Sequence, residues 1–308
     1  MNESGRSIVV SVPSRGRPKH LRQVVEKLAA TKSLRTTVVV VLNGPETLPD
    51  RARLEGIHFV HIGAIPTIPV AVNFGWYAMR KPWSILVKLD NDVLPPVGWE
   101  DEVMEKSRAI GLGGFLCDNE YSSTPTIVLG GHRMRRAHIS HTWGMPFVYS
   151  GFIWLSPRIA QLLQYEDERF VRSDDGDLGE RLSRIAGAII GYSADLSAVH
   201  MSPGPEGSTE PPEIVDEMYK ACDLLIKALP PRPIAQDTIW SQCLSPAEAE
   251  ALVLAGGVLP MPIQPAICLK NPDDGQDWRY PYLLEPAGGA LQRGPVQRSA
   301  EESRLCRH

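Results

Sequence analysis

The chain has 308 residues, of which 43% are hydrophobic and 22% charged, and its formal net charge is −4. These proportions are typical of a globular protein with a buried core, and they exclude a disordered chain, a collagen-like fibre and a small disulfide-stapled domain. With 32 basic and 36 acidic residues, the chain as a whole is not an electrostatic binder of nucleic acid, which leaves only a local basic surface for that role.

The cysteines are few and far apart, and no C-x-x-C pair is present. This argues against a zinc framework, and an odd, scattered set is typical of a reducing compartment. The predominantly polar residues 1–6 indicate no signal peptide. The longest aliphatic run, residues 38–42, is far shorter than the roughly 20 residues that cross a bilayer. We therefore expect a soluble, cytoplasmic protein without a membrane span. The five cysteines are Cys117, Cys222, Cys243, Cys268 and Cys306.

Short apolar runs alternate with amphipathic segments over the first two-thirds of the chain. The apolar runs predict buried strands over residues 8–12, 38–42, 57–62 and 84–89. Apolar residues at helical spacing predict helices over residues 20–30 and 71–79. Such alternation predicts an α/β fold with a mostly parallel sheet flanked by helices. Ligands of such sheets bind at the carboxyl ends of the strands, where three of these four strands end in polar turns.

The composition changes near residue 202, because 15 of the 27 prolines lie beyond it. We predict a helix over residues 213–229 in this part of the chain. A second helix is predicted to begin after Ser245, where a capping hydroxyl, a proline and Glu248 agree, and to end at Gly256. The expected organisation is a main domain over 1–202, a Pro-rich, partly helical extension over 203–285 and a disordered tail over 286–308.

Asp90, Asn91 and Asp92 directly follow the fourth predicted strand. Two carboxylates one residue apart can turn toward one site and hold a hard divalent cation, which in turn binds a diphosphate. The alternative is a solvated turn, because Asp and Asn are ordinary turn formers. The buried strand that precedes them strengthens the functional interpretation.

A second acidic group, Asp174, Asp175 and Asp177, enters a helix predicted to run to about residue 186. Acidic residues in a first helical turn are stabilised by the helix dipole, so these aspartates could have a purely structural role. Three aspartates in four positions exceed what capping requires, so one of them could act as a base toward a hydroxyl. His200 follows a strand predicted over residues 188–192. A lone histidine is more often structural than a ligand, so its interpretation depends on its neighbours.

In their order and spacing, these motifs resemble the inverting family-two glycosyltransferases with the GT-A fold, over about residues 7–201. The D-D-x-D-x-G form of the acidic helix is especially similar to that of galactofuranosyltransferases. The resemblance implies a Rossmann-like sheet, a nucleotide-sugar donor and a single-displacement transfer of a hexosyl or pentosyl group. The matching pieces are residues 13–18, residues 38–44, residues 71–75, Asp90-Asn91-Asp92, Ser150-Gly151, residues 174–178 and His200.

The resemblance also implies a role for each matching residue. Asp175 would be the catalytic base, and Asp174 would orient the acceptor. Asp92 would be the principal ligand of Mn²⁺ or Mg²⁺, with Asp90 and His200 as further ligands. The donor, which the resemblance suggests is a UDP-sugar, would contact Pro13, Ser14, Arg15, Arg17, Asn43, Asn73, Lys88, Asp90 and Asn91.

Two positions depart from the family pattern. The family usually has an aspartate where Asn43 stands, which accepts the N3–H of uracil, and an amide oxygen accepts that bond more weakly. The family often has an arginine at the position of Val72. Arg15, Arg17 or Lys88 would then supply the positive charge at the diphosphate, although Lys88 could equally be a snorkelling strand residue.

The interval between the two acidic motifs, which shapes the acceptor site in this family, carries a local basic segment. Its arginines suit phosphate oxygens and its aromatic residues could stack on a base or a sugar. The alternative is a solvated hairpin whose arginines pair with acidic residues. The acceptor would be a saccharide or glycoconjugate, or, as a lesser hypothesis, a hydroxymethylated pyrimidine in viral DNA. The candidate acceptor residues are Arg133, Arg135, Arg136, Trp143, Tyr149, Gly151 and Trp154.

Two rival functions remain open from the sequence. A sugar-phosphate nucleotidyltransferase also uses paired aspartates, but it normally has a longer glycine-rich loop with a lysine after the first strand. A non-catalytic nucleotide-sugar-binding protein would keep the donor site without consuming the donor.

Overall fold

The computed structural model describes residues 6–44, 55–63, 68–117, 125–139, 146–148, 151–168, 174–201, 234–259, 268–270 and 277–279. The strands are β1 Ile8–Ser14, β2 Thr36–Leu42, β3 Ile57–His61, β4 Ile85–Leu89, β5 Val93–Leu94, β6 Leu112–Gly114, β7 Thr126–Leu129, β8 His132–Arg136, β9 His138–Ile139, β10 Pro146–Phe147, β11 Phe152–Leu155, β12 Ile190–Ser193, β13 Val199–His200, β14 Cys268–Lys270 and β15 Asp277–Arg279. The helices are α1 Pro18–Thr31, α2 Ile68–Met79, α3 Trp99–Lys106, α4 Pro157–Leu163, α5 Asp174–Ser183, α6 Trp240–Cys243 and α7 Pro246–Ala255.

Nine of the described strands form one sheet in the order β3-β2-β1-β4-β11-β6-β12-β8-β7, and the other six form three two-stranded sheets. The four strands β3, β2, β1 and β4 are mutually parallel. Strand β11 enters antiparallel between β4 and β6, and the hairpin of β7 and β8 forms the far edge. This architecture confirms the predicted α/β fold class.

Helices cover both faces of the sheet. On one face, the predicted apolar stripe of α1, for example Val24 and Leu28, packs with Val10 of β1 in the same core as Trp99 of α3. On the other face, α2, α4 and α5 share a core with β4 and β11, and α7 packs with α2 over β2. A strand that is buried on both faces has a continuous apolar run in its sequence. The first strands could therefore be predicted from the sequence.

Residues 234–259 pack on α2 and on the edge strand β3. The indole Nε1 of Trp240 donates to the carbonyl of Val70 at 2.9 Å, and its ring meets Phe74 edge-on. The backbone N–H of His61 donates to the Gly257 carbonyl at 3.2 Å, which covers part of the exposed edge of β3. The proposed boundary at residue 202 and the predicted helix at 213–229 lie outside the described residues.

Helix α7 begins and ends where the sequence predicts. Ser245 and Glu248 form a capping box, and Pro246 is the first helical residue. Gly256 ends the helix in the left-handed conformation, which glycine adopts without a Cβ penalty. The predicted tail over 286–308 lies outside the described residues. Within the described residues, no helix is both long enough and apolar enough to cross a membrane.

Candidate functional site

The polar turns after β1, β2 and β4 meet at one edge of the sheet. Ser14, the last residue of β1, is in register with Leu42, the last residue of β2. The backbone N–H of Asn43 donates to the Ser14 carbonyl at 2.9 Å. Because parallel strands end at the same edge, Asp90 after β4 lies at this edge too. Three separate segments of the sequence therefore build one site.

Asn91 joins the turn after β4 to the turn after β1. Its buried amide nitrogen donates to Oγ of Ser14 at 3.0 Å and to the carbonyl of Gly16 at 3.2 Å. Both hydrogen bonds join neutral groups. Because they connect the turn after β4 to the turn after β1, Asn91 fixes the relative position of the two turns. The middle residue of the D-N-D motif thus has a structural partner that the sequence alone did not indicate.

Asp92 is the buried carboxylate of the site. Nη1 of Arg17 donates to its Oδ2 in an ion pair, and Nε2 of His200 lies 3.4 Å from the same oxygen. Burial by itself raises the pKa of Asp92, but the hydrogen bond with His200 and the positive charge of Arg17 outweigh it and hold that pKa below its ordinary value. Asp92 is therefore a stable anion in the interior of the site.

The backbone brings His200 to Asp92. Strand β13 pairs with β5 so that His200 is opposite Val93, and the N–H of Met201 donates to the Asp92 carbonyl at 2.8 Å. The two residues approach because a short antiparallel ladder joins segments that are far apart in the sequence.

Asp90 is the more exposed carboxylate, with 33% of its side chain accessible. Nζ of the buried Lys88 lies 3.6 Å from its Oδ1. The backbone N–H of Asp90 donates to the Gly151 carbonyl at 2.7 Å. A Cβ at Gly151 would lie 3.1 Å from Oδ2 of Asp90 and would collide with Val93, so this close approach requires glycine.

Among the described residues, no group of three or more His, Cys, Asp or Glu side chains converges closely enough to hold a metal ion, but a few possible cation ligands lie at this edge. Asp92 and His200 supply a carboxylate and an imidazole on one side of the site, and Asp90 adds a second carboxylate in the same turn. Oxygen and imidazole ligands suit Mn²⁺, and carboxylate oxygens suit Mg²⁺.

Two predicted site residues belong to the core instead. The amide of Asn73 is completely buried: Nδ2 donates to the Glu166 carbonyl and to Oε1 of Glu168, and Oδ1 accepts from the Glu166 N–H. These bonds use both N–H groups of the amide, and its complete burial separates it from a nucleotide-sugar. Trp154 is completely buried, with its ring centroid 5.2 Å from that of Phe115, so it does not stack on an acceptor.

The acidic helix α5 begins at Asp174, as the sequence predicts. The side chains of Asp174 and Asp175 lie outside the described part of the structure. Asp177, by contrast, is completely buried and paired with Arg181 one turn later, with 2.6 Å between its Oδ2 and the arginine Nη2. The third aspartate of the motif is thus structural.

The predicted basic segment is partly a solvated hairpin. Arg133 and Arg135 lie on one face of β8, whereas Arg136 lies on the other, because side chains alternate along a strand. The side chain of Arg133 is 69% exposed, with Nη1 3.4 Å from Oδ1 of Asp195. The arginines therefore do not form one continuous surface. The candidate acceptor residues Trp143 and Tyr149 lie outside the described residues.

Sequence reasoning missed Glu168, Arg181 and His61. The spacing of Asp177 and Arg181, four residues apart on a predicted helix, was a readable signal of a pair. Glu168 accepts hydrogen bonds from Asn73, Thr238 and the backbone of Ile239. No sequence signal indicated that these distant residues would meet.

Comparison with known proteins shows similarity at the level of structure only. No protein-family model and no curated protein sequence matches the chain. A mannosyltransferase from Pyrobaculum calidifontis, solved with GDP-Man and Mn²⁺, aligns over 83% of this chain and 75% of its own with 14% identity and a TM-score of 0.52. TarS residues 1–349 from S. aureus, solved with UDP-GlcNAc, align over 81% of this chain and 71% of their own with 12% identity and a TM-score of 0.45. The chain shares the fold of the mannosyltransferase.

Proposed function

We propose that this protein is a metal-dependent glycosyltransferase that moves a sugar from a nucleotide-sugar to an acceptor hydroxyl, with inversion at the anomeric carbon. The observation that carries this proposal is the buried Asp92 carboxylate with His200 3.4 Å away, at the carboxyl edge of the sheet. The mannosyltransferase with the same fold was solved with a nucleotide-sugar and Mn²⁺, which is consistent with a donor and a cation at such an edge.

The donor nucleotide would lie across the turns after β1 and β2. Pro13, Ser14 and Arg15 would line its pocket, and Asn43 would accept a hydrogen bond from the base. We infer UDP as the nucleotide, because the resemblance places a uracil-binding residue at this position. Val72 is completely buried and apolar. The charge at the diphosphate would therefore come from Arg15, Arg17 or Lys88.

Asp92 and His200 would hold Mn²⁺ or Mg²⁺, with Asp90 as a further ligand. When bound, such a cation neutralises the negative charge that develops on the departing diphosphate. Asn91 keeps the turn that carries both aspartates against the turn after β1. The chain thereby contributes a positioned anion to the site before any ligand arrives.

Asp175 would act as the general base from the first turn of α5. It takes the proton of the acceptor hydroxyl while the acceptor oxygen forms a bond to the anomeric carbon. The bond from that carbon to the diphosphate breaks on the opposite side, and the electron pair leaves with the diphosphate. Asp174 would orient the acceptor. General base catalysis of this kind contributes roughly 10²–10⁴-fold to the rate.

The acceptor would be a hydroxyl of a saccharide or glycoconjugate. Gly151 adjoins Asp90 and would border the acceptor side of the site. Strand alternation divides the arginines of β8 between two faces, so the hairpin gives little support to a DNA acceptor.

A thermal-shift panel of UDP-, GDP-, TDP- and CDP-sugars, with and without Mn²⁺, tests the donor and the cation together. A ligand that binds only the folded state raises the melting temperature. We expect a UDP-sugar to stabilise the wild type only when Mn²⁺ is present. Asp92→Ala should abolish that shift, and an unchanged shift in the variant would refute the metal assignment.

Product analysis then separates the rival functions. A glycosyltransferase releases nucleoside diphosphate from the donor, and Asp175→Asn should slow that release while the thermal shift persists. Release of pyrophosphate from a nucleoside triphosphate would instead indicate a nucleotidyltransferase. Donor binding without consumption by the wild type, over a set of saccharide acceptors, would indicate a binding protein.

A further inference from the structure

Arg17 is paired with the oxygen of Asp92 that also faces His200. Its Nη1 donates to Oδ2 of Asp92, and Nε2 of His200 lies 3.4 Å from the same Oδ2. The side chain of Asp92 is 7% exposed and that of Arg17 is 22% exposed. Because the carboxylate is removed from water, its interaction with a nearby positive charge is weakly screened. The guanidinium and the imidazole thus share one atom of the site.

The backbone at Arg17 adopts an uncommon conformation that delivers this side chain. Arg17 is the N-cap of α1, with φ 67° and ψ 49°, which lies in the left-handed region. Gly16 before it has φ 68°, and Pro18 after it begins the helix. A non-glycine residue seldom adopts this region, and such strain is concentrated at functional sites. The sequence therefore keeps an arginine where glycine would be easier to accommodate.

A cation and this guanidinium compete for Oδ2 of Asp92. A small divalent cation such as Mg²⁺ lies about 2.0–2.1 Å from a carboxylate oxygen, and a guanidinium nitrogen lies about 2.7–2.9 Å from it. Two positive groups on one buried oxygen repel strongly, because the surroundings screen them poorly. A cation bound by Asp92 and His200 through these atoms therefore requires Arg17 to move.

The displaced arginine has a suitable anion within the proposed site. The guanidinium fork matches the oxygens of a diphosphate and retains its charge at any physiological pH. Arg17 follows the turn at Ser14 and Gly16, which Asn91 ties to the aspartate turn. A diphosphate bound beside these turns would offer the guanidinium a replacement for Asp92.

We infer that Arg17 is an exchangeable counterion: it neutralises Asp92 until a cation binds there, and it then transfers to the diphosphate of the donor. This inference rests on the proposed function. A bound cation releases Arg17 from Asp92 for the diphosphate, and a bound diphosphate draws Arg17 away from Asp92 for the cation. Each ligand therefore increases the affinity of the protein for the other, and this coupling is reciprocal. The protein thus discriminates against a cation or a nucleotide that arrives by itself.

Mn²⁺ binding without nucleotide is the direct test, measured from the electron paramagnetic resonance signal of free Mn²⁺. Arg17→Ala removes the competitor, and we expect it to bind Mn²⁺ alone about tenfold more tightly than the wild type, within the usual range of coupling between sites. Lys19→Ala is the matched control: it removes one positive charge from an exposed position in the same helix, and its Mn²⁺ affinity should equal that of the wild type.

The second arm measures how far UDP or GDP tightens Mn²⁺ binding. The wild type should show a large enhancement, and Arg17→Ala should lose most of it, because the diphosphate no longer gains the guanidinium. Arg17→Gly serves as a second variant: glycine accepts the left-handed backbone, so the fold is retained while the side chain is removed. Both variants should behave alike.

The outcomes separate the inference from the function on which it rests. If the wild type binds Mn²⁺ with a nucleotide, but neither Arg17 variant binds Mn²⁺ alone more tightly, Arg17 is a fixed structural partner and the inference is wrong. If the wild type binds neither Mn²⁺ nor any nucleotide, the proposed function fails and the inference fails with it.

Discussion

Asp177 and Arg181 form an ion pair within α5 in which both side chains are completely buried. Arg181 also donates to the carbonyls of Leu163, Tyr165 and Ile234, at 3.2, 2.9 and 3.0 Å. The pair therefore fastens the helix that begins at Asp174 to two other segments of the chain. The proposed base, Asp175, lies on the first turn of this anchored helix.

Asp177→Asn should destabilise the protein strongly, because it leaves the Arg181 charge buried without its counterion. Removing one partner of a buried pair costs about 3–5 kcal/mol in the free energy of unfolding. Urea denaturation followed by circular dichroism measures this loss.

Glu180→Gln is the control for that measurement. It breaks the pair of Glu180 with Arg184, which has the same spacing and a 3.1 Å contact but is partly exposed. Exposed pairs of this spacing contribute only about 0.3–0.5 kcal/mol. Equal losses in the two variants would show that the buried pair does not anchor α5.

Glu168 should make stability depend on pH near neutrality. Burial raises its pKa from 4.5 to about 7, and the nearby Asp167 adds to the shift, against hydrogen bonds from Thr238, Asn73 and Ile239 that lower it. Because the folded state holds this proton more tightly than the unfolded chain, the contribution to stability is complete below pH 4.5 and is lost as the pH rises through about 7.

Glu168→Gln, which cannot ionise, tests this expectation. As the pH is raised from 5 to 8, the wild type should lose up to about 3 kcal/mol of unfolding free energy relative to the variant. Urea denaturation at each pH provides the values, and Glu26→Gln, at an exposed position of α1, is the control. Parallel curves for the wild type and Glu168→Gln would contradict the assignment.

Local patterns were sufficient to predict the parallel half of the fold. The runs that form β1, β2 and β4 are apolar on both faces, and the stripe of α1 has helical spacing. The ends of α7 followed from Ser245 and Gly256, because capping depends on adjacent residues. Such features require no knowledge of distant contacts.

Features that depend on long-range packing could not be predicted in this way. Helix α2 is buried on all sides, so its sequence does not indicate that the amide of Asn73 is hydrogen-bonded to Glu166 and Glu168. Trp154 is internal because β11 inserts between β4 and β6, an order that no local signal specifies. The pairing of Arg17 with Asp92 likewise arises from turns that are distant in sequence.

Gly151→Ala should disturb the aspartate turn. The added methyl group would collide with Val93 and approach Oδ2 of Asp90 to 3.1 Å. Overpacking of this kind costs about 1–3 kcal/mol, and the displacement of Asp90 should weaken Mn²⁺-dependent nucleotide binding in the thermal-shift assay. Gly257→Ala is the control, because its methyl group would lie 3.3 Å from the flexible end of Leu252 and 3.7 Å from the Leu252 carbonyl, without a collision. Retained nucleotide binding in Gly151→Ala would show that the turn tolerates displacement.

His61 should support nucleotide binding without touching the nucleotide. Its Nε2 lies 2.9 Å from the Gly44 carbonyl, and its Nδ1 accepts from the N–H of Gly63 at 3.1 Å. With Nδ1 as the acceptor, the ring nitrogen Nε2 is the donor toward the Gly44 carbonyl. The ring therefore braces the turn that contains Asn43, the proposed contact of the base.

His61→Phe keeps a ring of similar size but removes both hydrogen bonds. Each such bond contributes about 1 kcal/mol, so the loss of both should weaken nucleotide binding by up to about 30-fold, measured by titration calorimetry with UDP and Mn²⁺. His58→Phe is the control, because His58 lies on the opposite face of β3, in register with Val39 in the middle of β2. If both variants bind the nucleotide equally well, the turn after β2 does not depend on His61. A loss in His61→Phe alone would assign the nucleotide to this turn.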